Sequence, residues 1–547
     1  MKISGIRLFG PLGQALRLSC ENRLKKVNYA FLSEPFRTRT ENDGAWRCEF
    51  WGKVMRSAVL TAYCLQDPEL TEMVKDGVRL MLAAQTPDGV VSTYPADKQL
   101  SGWDIWGRKY VLLGMIRYYE LIEADPAVRT FCLGIVDSLI AQLRAKNLTL
   151  RECGAHEGLA ACSILDAVCG VYRISGERRV LDFARSIAES GCSLRHNIYE
   201  EARKGTFPKD IGNGKAYEMT SCFQGLADYY EFDPRPEFRE ACLKYFDLVR
   251  SREIYITGIG GGKDVVGELW NDSAFNQTRT DCGGMGETCV TTTWLHYIEK
   301  IAGLTDDTAC FDEAEHTLYN GILGAMTPDG GDWTHCNPTP LTGGADKRIP
   351  PDQIGSIFHT PFDNHDCCRA QGPEGIAMAP RLAVTVRNGE VNLNLLEAMT
   401  ASFDDGSVLR VSGAYPASPE AHVGVTASGV FPLNVRIPAF CVSAALNGEP
   451  VDIRPGTRLK LRRAWAPGDV LTLKFDFSLK EIPAPDGSAF TAVMRGPVLL
   501  AEDSRGEVPH ALCHEECHGH HLIDYITAGD GMSGENTLKV WFSPDEL

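Results

Sequence analysis

A phrase that recurs five times constrains the fold of this chain more than any other feature. A helix ends in an aromatic residue, a short polar, Pro or Gly break follows, and a new helix begins. It reads AYCLQDPELTEMV near Tyr63, YYELIEADPAVRTF near Tyr119, VYRISGERRVLDFA near Tyr172, YYEFDPRPEFREAC near Tyr230 and YIEKIAGLTDDTACF near Tyr297. The spacing, on the order of 60 residues, holds about two helices and two loops, and recurrence at such a period is the mark of stacked helical hairpins. Leu70, Met73, Val74, Val78, Met81 and Leu82 follow the stripe of a core-facing helix. Five units plus a flanking helical stretch fit a closed (α/α)6 toroid; an open solenoid fits the period equally well. The long insertion Gln85 to Trp106, rich in Gly, Trp and Asp, is the kind of loop that gathers at one face of such a scaffold and carries function.

After about residue 380 the periodicity changes from helical to alternating. Asn392 to Leu396, Leu433 to Ile437, Thr457 to Leu461 and Val470 to Phe477 read as strands, separated by turns such as Asn447-Gly448 and Pro467-Gly468-Asp469. The expected fold class is mainly α with an all-β appendage: residues 1–380 a toroid, residues 381–547 a β-sandwich. The tail from Glu502 has no clear period.

The formal net charge of −17, without a Lys- or Arg-rich run, argues against nucleic acid and anionic membrane surfaces as partners. No apolar run has the length a membrane span requires, so no transmembrane helix is expected. The first twenty residues lack the apolar stretch of an export signal, and the 19 cysteines then read as reduced thiols in a cytoplasm.

Two short segments concentrate metal-binding chemistry. Glu287-x-Cys289 and the adjacent Cys367-Cys368 offer one carboxylate and three thiolates, a complete tetrahedral set for zinc. Such an ion would tie together two segments far apart in the sequence and keep a nucleophilic thiolate deprotonated. The glycine-rich TGIGGGKDVVGELW contains no phosphate-loop signature; its glycines read as a tight loop presenting Glu268. A second cluster, Cys513-His514-x-x-Cys517-His518-x-His520-His521, has ligand-type residues at the end of the β region, where an exposed polar loop explains them as well.

GIGG…GELW, GETC and HDCCRAQGPEG, together with VRIPAF, LKLRRAWAPGD and RGPVLLAE, resemble glycoside hydrolase family 127, the β-L-arabinofuranosidases, over nearly the whole chain. The resemblance implies that Glu287, Cys289, Cys367 and Cys368 bind zinc, that Cys367 is the nucleophile, and that Glu268 is the general acid/base of a retaining glycosidase. The sequence also departs from the family. Arg369-Ala370-Gln371-Gly372 stand where the family has prolines after the cysteine pair. Arg108 and Lys109 occupy the place of one sugar-contacting histidine, and Tyr217 and Glu218 that of another. The catalytic set is kept while the sugar pocket is rebuilt. Trp103, Asp104 and Trp106 make a stacking and hydrogen-bonding set for a sugar ring, with interhelical packing as the alternative; Tyr217, Glu218, His359 and His365 complete the expected substrate-binding residues.

The expected function is a zinc-dependent retaining hydrolase releasing an L-arabinofuranose-like sugar from oligosaccharides or glycosides. One alternative is an acidic, pectin-derived sugar held by Arg108, Lys109 and Arg369. Others are a non-catalytic carbohydrate-binding protein with a structural zinc, and a metal-free toroidal epimerase or lyase.

Overall fold

The computed structural model describes residues 2–42, 45–262, 268–279, 285–305, 307–338, 367–425, 429–506, 508–529 and 537–546. All five recurring phrases are helical hairpins. The Phe50–Leu65 helix is followed by Pro68–Leu82, Asp104–Leu121 by Pro126–Lys146, and Leu165–Ser175 by Arg178–Ser190. Ala216–Tyr229 is followed by Pro236–Arg252, and Thr288–Leu304 by Ala309–His316. The breaks work by helix-end chemistry. Asp67 and Asp125 cap the next helix by accepting from the backbone N–H of Leu70 and Ala127, with Pro68 and Pro126 at the first helical position. Gly176 ends its helix in the left-handed conformation.

The first helix of each hairpin, with Cys367–Ala377 as the sixth, forms an inner layer. Each packs on the next, and Cys367–Ala377 packs back on Phe50–Leu65, so the ring closes and the open solenoid is excluded. The reason lies in the sequence of these helices. Every residue of Ala216–Tyr229 is buried, whereas the outer Pro68–Leu82 buries one stripe, Leu70, Val74, Val78 and Met81. Inner helices approach closely at Gly52, where a Cβ would lie 2.2 Å from the Tyr110 carbonyl oxygen. Two helical segments, Pro126–Lys146 and 156–175, are long and apolar enough to cross a membrane by length and composition. Both pack into the ring, Pro126–Lys146 against the inner helices Asp104–Leu121 and Leu165–Ser175.

The β region holds more than the expected strands. A seven-stranded sheet runs Ile3–Leu8, Met399–Phe403, Val408–Ser412, Glu420–Val425, Val470–Phe475, Cys441–Leu446, Glu449–Val451. A four-stranded sheet runs Thr457–Trp465, Gly429–Ile437, Glu390–Leu393, Val384–Arg387. The N-terminal strand thus belongs to a sheet built from the far end of the chain, Leu8 pairing with Met399. These two sheets share one apolar core with the ring. The tail, illegible as sequence, contributes to a third, six-stranded sheet with apolar clusters of its own.

Inside the ring, Arg56 Nε lies 3.0 Å and His296 Nε2 2.9 Å from Glu374 Oε1, all three residues buried. Burial lowers the His296 imidazole from 6.5 to about 4. For Glu374 burial is outweighed by the Arg56 and His296 charges, which hold it at about 2 instead of 4.5. Both folded values are depressed, so in both cases the unfolded chain takes up the proton first. The contribution of this pair is complete above pH 6.5; it falls toward pH 4 through His296 and from 4.5 toward 2 through Glu374. Denaturant unfolding at pH 4 and pH 7 checks this. Glu253, Glu313 and Glu397 are raised to about 7 by burial and change stability the other way over this range, so the pair is read by difference: between pH 7 and pH 4 the wild type should lose about 3 kcal/mol more than a His296→Phe chain that stays folded.

Candidate active site

The inner helices bring their first turns to one place. Cys367 and Cys368 open the last inner helix, Cys289 stands in the first turn of Thr288–Leu304, and Glu287 is its N-cap residue. These two helices pack on each other, so two positive helix ends converge on the four groups and favour anionic forms there. Strand pairing fixes Glu287 from the other side: Met285–Glu287 runs antiparallel to Cys336–Pro338, and the Glu287 N–H donates to the Gly260 carbonyl at 2.9 Å.

The Cys368 sulfur lies 3.3 Å from Cys289 Sγ, 3.9 Å from Cys367 Sγ and 3.5 Å from Glu287 Oε1. All four ligand atoms fall within 4.8 Å of one another, and all four residues are buried. A tetrahedral zinc with Zn–S near 2.3 Å and Zn–O near 2.1 Å spans about 3.8 Å between sulfurs and about 3.6 Å between sulfur and oxygen. The donor set fits such an ion in number, type and spacing.

Among the protein groups alone, burial pushes Glu287 well above the carboxylate range, reinforced by Glu268 and Cys367. Burial also raises Cys368. Cys367 rises to about 12, chiefly through its hydrogen bond to Cys289. Cys289 is the exception. Burial opposes its ionisation, but hydrogen bonds from Cys367 and Cys368 and the Lys53 ammonium, 3.6 Å from its sulfur, lower it.

Lys53 is one of four site residues not singled out in the sequence, where its signal is a lysine inside the apolar stretch FWGKVMRSAVL. It is fully buried, and its ammonium also pairs with Glu49 at 2.9 Å. Burial works against its charge, and Cys289 and Glu49 outweigh that. Lys53→Met removes the cation and leaves two buried anionic partners, so denaturant unfolding should show a loss of about 3–5 kcal/mol. A loss of only about 1 kcal/mol or less, as for a surface pair, would show that Lys53 is not the counter-charge.

His335 is the second. It is buried, its Nδ1 lies 3.8 Å from Cys367 Sγ, and it groups with Glu268 and Glu287 within 4.8 Å. The third is Lys215, which forms a close ion pair with Glu268 and feels Glu218 and Glu287 as well. The backbone around Glu268 is held by the Ala216 N–H donating to its carbonyl. The fourth is His156. Its ring lies 5.3 Å from that of Trp103, its Nε2 is 4.0 Å from Glu218 Oε1, and its Nδ1 is 3.2 Å from the Asn213 amide. His156 and Glu157 both take φ of +56°, a conformation costly for residues with a Cβ and typical of functional loops.

The expected sugar-contacting residues divide. Glu218 is 2% exposed, and its Oε2 has no hydrogen-bond partner among the described residues. Trp103 is half-buried beside His156. Asp104 is 1% exposed, and its carboxylate is engaged by Ser92, the Leu100 N–H and Arg108, so it braces the loop. Trp106 is likewise a packing residue, buried edge-to-face on Tyr110 and Tyr217 with its N–H on Glu49. The Tyr217 hydroxyl is consumed by Tyr110 and Gln371. The cations that an acidic sugar would need are also engaged. Arg108 binds Asp104 and Gln142, Arg369 pairs with Asp332, and Lys109 sits over the Trp106 ring 3.3 Å from Ser163 Oγ. Burial lowers Lys109 to about 8. His359 and His365 lie outside the described residues.

Residues 16–381 match the family described as "Beta-L-arabinofuranosidase, GH127 catalytic domain". A non-reducing end β-L-arabinofuranosidase of Bifidobacterium longum subsp. longum is 22% identical over 527 residues, covering 83% of this chain and 76% of that protein. A GH127 β-L-arabinofuranosidase structure from Geobacillus stearothermophilus T6 superposes with a TM-score of 0.74 at 17% identity, covering 98% of this chain and 99% of the other. A further GH127 β-arabinofuranosidase structure gives 0.78 at 18% identity, covering 99% and 96%. At these identities the two structures establish the shared fold.

Proposed function

The chain belongs to the GH127 β-L-arabinofuranosidase catalytic-domain family and is a glycoside hydrolase, and on that premise we propose a zinc-dependent retaining enzyme that releases an L-arabinofuranose-like sugar from short oligosaccharides or glycosides. One observation carries this reading: Glu287 is shared by two groups. It joins Cys289, Cys367 and Cys368 on one side and Glu268 and His335 on the other. A proton-transferring carboxylate and a set of thiols therefore meet at one point, which a purely structural metal site does not need.

Zinc held by Glu287, Cys289, Cys367 and Cys368 would supply the positive charge that keeps these thiols deprotonated at neutral pH. The Cys367 thiolate attacks the anomeric carbon while Glu268 gives its proton to the departing glycosidic oxygen. Glu268, now a carboxylate, takes a proton from water as that water displaces the Cys367 sulfur, and two inversions give net retention. Lys215 anchors Glu268 through both steps.

The site favours a neutral sugar over an acidic one. Glu218 presents a buried carboxylate oxygen that suits a sugar hydroxyl donor and repels a uronate. Arg108 and Arg369 are already paired. The test is hydrolysis of a panel of aryl glycosides followed by NMR. The expected result is release of a neutral furanose with the substrate's anomeric configuration in the first-formed product. Inversion, or turnover of uronides alone, would overturn the reading. Within that panel His156→Ala and Glu218→Gln should each raise KM, by about 1.5–3 kcal/mol of lost hydroxyl recognition, more than they lower kcat. Unchanged KM in both would place them outside the sugar site.

A further inference from the structure

The tail cluster contributes no residue to the catalytic site, yet it is a built feature. His514–Cys517 and His520–Asp524 form an antiparallel hairpin at the edge of the third sheet, with Glu516 directly opposite His521 and His514 opposite Ile523. Alternation along the strands puts His514, Glu516 and His521 on one face, His514 and His521 being diagonal neighbours across the pair. Their rings meet nitrogen to nitrogen: His514 Nδ1 is 3.3 Å from His521 Nε2. The other nitrogen of His521, Nδ1, lies 2.9 Å from Glu516 Oε1.

We propose that this face is a second, solvent-facing site for a divalent transition-metal ion, with His514 Nδ1 and His521 Nε2 as its protein ligands and Glu516 as the positioning residue. Two geometric facts carry the assignment. A tetrahedral ion with metal–nitrogen bonds of about 2.0–2.1 Å holds its two nitrogens about 3.3–3.4 Å apart, the separation the hairpin already sets. A carboxylate on the far ring nitrogen fixes the imidazole tautomer so that its free lone pair points at the ion, the arrangement that metal-ligating histidines use. The remaining coordination positions face solvent, and water fills them. Neutral imidazoles select Cu2+, Ni2+ and Zn2+ over Mg2+ or Ca2+, and the affinity order should follow Cu2+ above Ni2+ and Zn2+. An ion there clips the two strands of the hairpin together.

A neighbouring trio, Glu481, Cys517 and His518, also brings its ligand atoms within 4.8 Å. There the histidine Nε2 faces Glu481 Oε1 at 3.0 Å and Cys517 is buried, so the two groups are told apart by which variants lose the ion.

The experiment is calorimetric titration of the full chain with Cu2+ or Zn2+ after its buried site has been loaded and excess metal removed. The wild type should bind one further ion at pH 7.5. His514→Gln and His521→Gln should each abolish that equivalent without changing glycosidase activity, while Glu516→Gln should weaken it. Copper bound to the wild type should show nitrogen hyperfine coupling in its electron paramagnetic resonance spectrum, which disappears in the double variant. No further equivalent in the wild type would overturn the proposal. So would a second ion that survives in His514→Gln/His521→Gln and is lost in Cys517→Ser/His518→Gln.

Discussion

Glu268→Gln should leave the ring folded and loaded with metal while kcat falls by about 10²–10⁴, the usual worth of a positioned general acid/base. The substitution keeps size and hydrogen-bonding capacity but cannot move a proton. It also trades the ion pair with Lys215 for a neutral contact. The loss should be largest for glycosides with poor leaving groups, which need protonation of the departing oxygen, and should shrink for activated aryl glycosides. Added azide, which needs no base, should restore turnover of activated substrates. The informative measurement is kcat against leaving-group pKa for wild type and variant, with metal content and melting temperature as controls. If both chains give the same slope and similar kcat, Glu268 is not the acid.

Cys368→Ala should have an equally large effect of a different kind. Cys368 sits at the centre of the ligand set, within 3.9 Å of Cys289, Cys367 and Glu287. Its loss should empty the site, abolish activity and destabilise the ring together. An ion present at a hundred times its Kd stabilises the folded chain by about 2.7 kcal/mol. Such an ion would also join the first turns of two inner helices whose candidate ligands are far apart in the sequence. Chelation of the wild type should reproduce the stability loss, and re-addition of zinc should reverse it in the wild type but not in the variant. Full activity of Cys368→Ala at unchanged metal content would remove the cluster from the mechanism. Cys367→Ser provides the contrast. It should lose turnover, because the hydroxyl is a far weaker nucleophile at neutral pH, while keeping much of the metal affinity through Glu287, Cys289 and Cys368.

Much of this protein is legible without coordinates because the determinants are local or periodic. Five aromatic-to-break phrases encode five helical hairpins, since capping aspartates and N1 prolines act within a few residues of themselves. Glu287-x-Cys289 and Cys367-Cys368 are readable as one candidate ligand set, which the fold brings within 4.8 Å, because only a few residue types bind zinc. Tertiary structure alone decided whether the ring closes, because closure depends on the packing of Cys367–Ala377 against Phe50–Leu65, the last and the first inner helices of the chain. It alone placed Ile3–Leu8 in a sheet with Met399–Phe403. It also decided which polar side chains are free to meet a sugar. Asp104, Trp106 and Tyr217 have the right chemistry but spend it on Arg108, Glu49 and Gln371, whereas Glu218 keeps a carboxylate oxygen that is unpartnered among the described residues, beside His156. Residue type sets what a group can do; its neighbours in space, brought together from six helices, set whether that capacity is already satisfied.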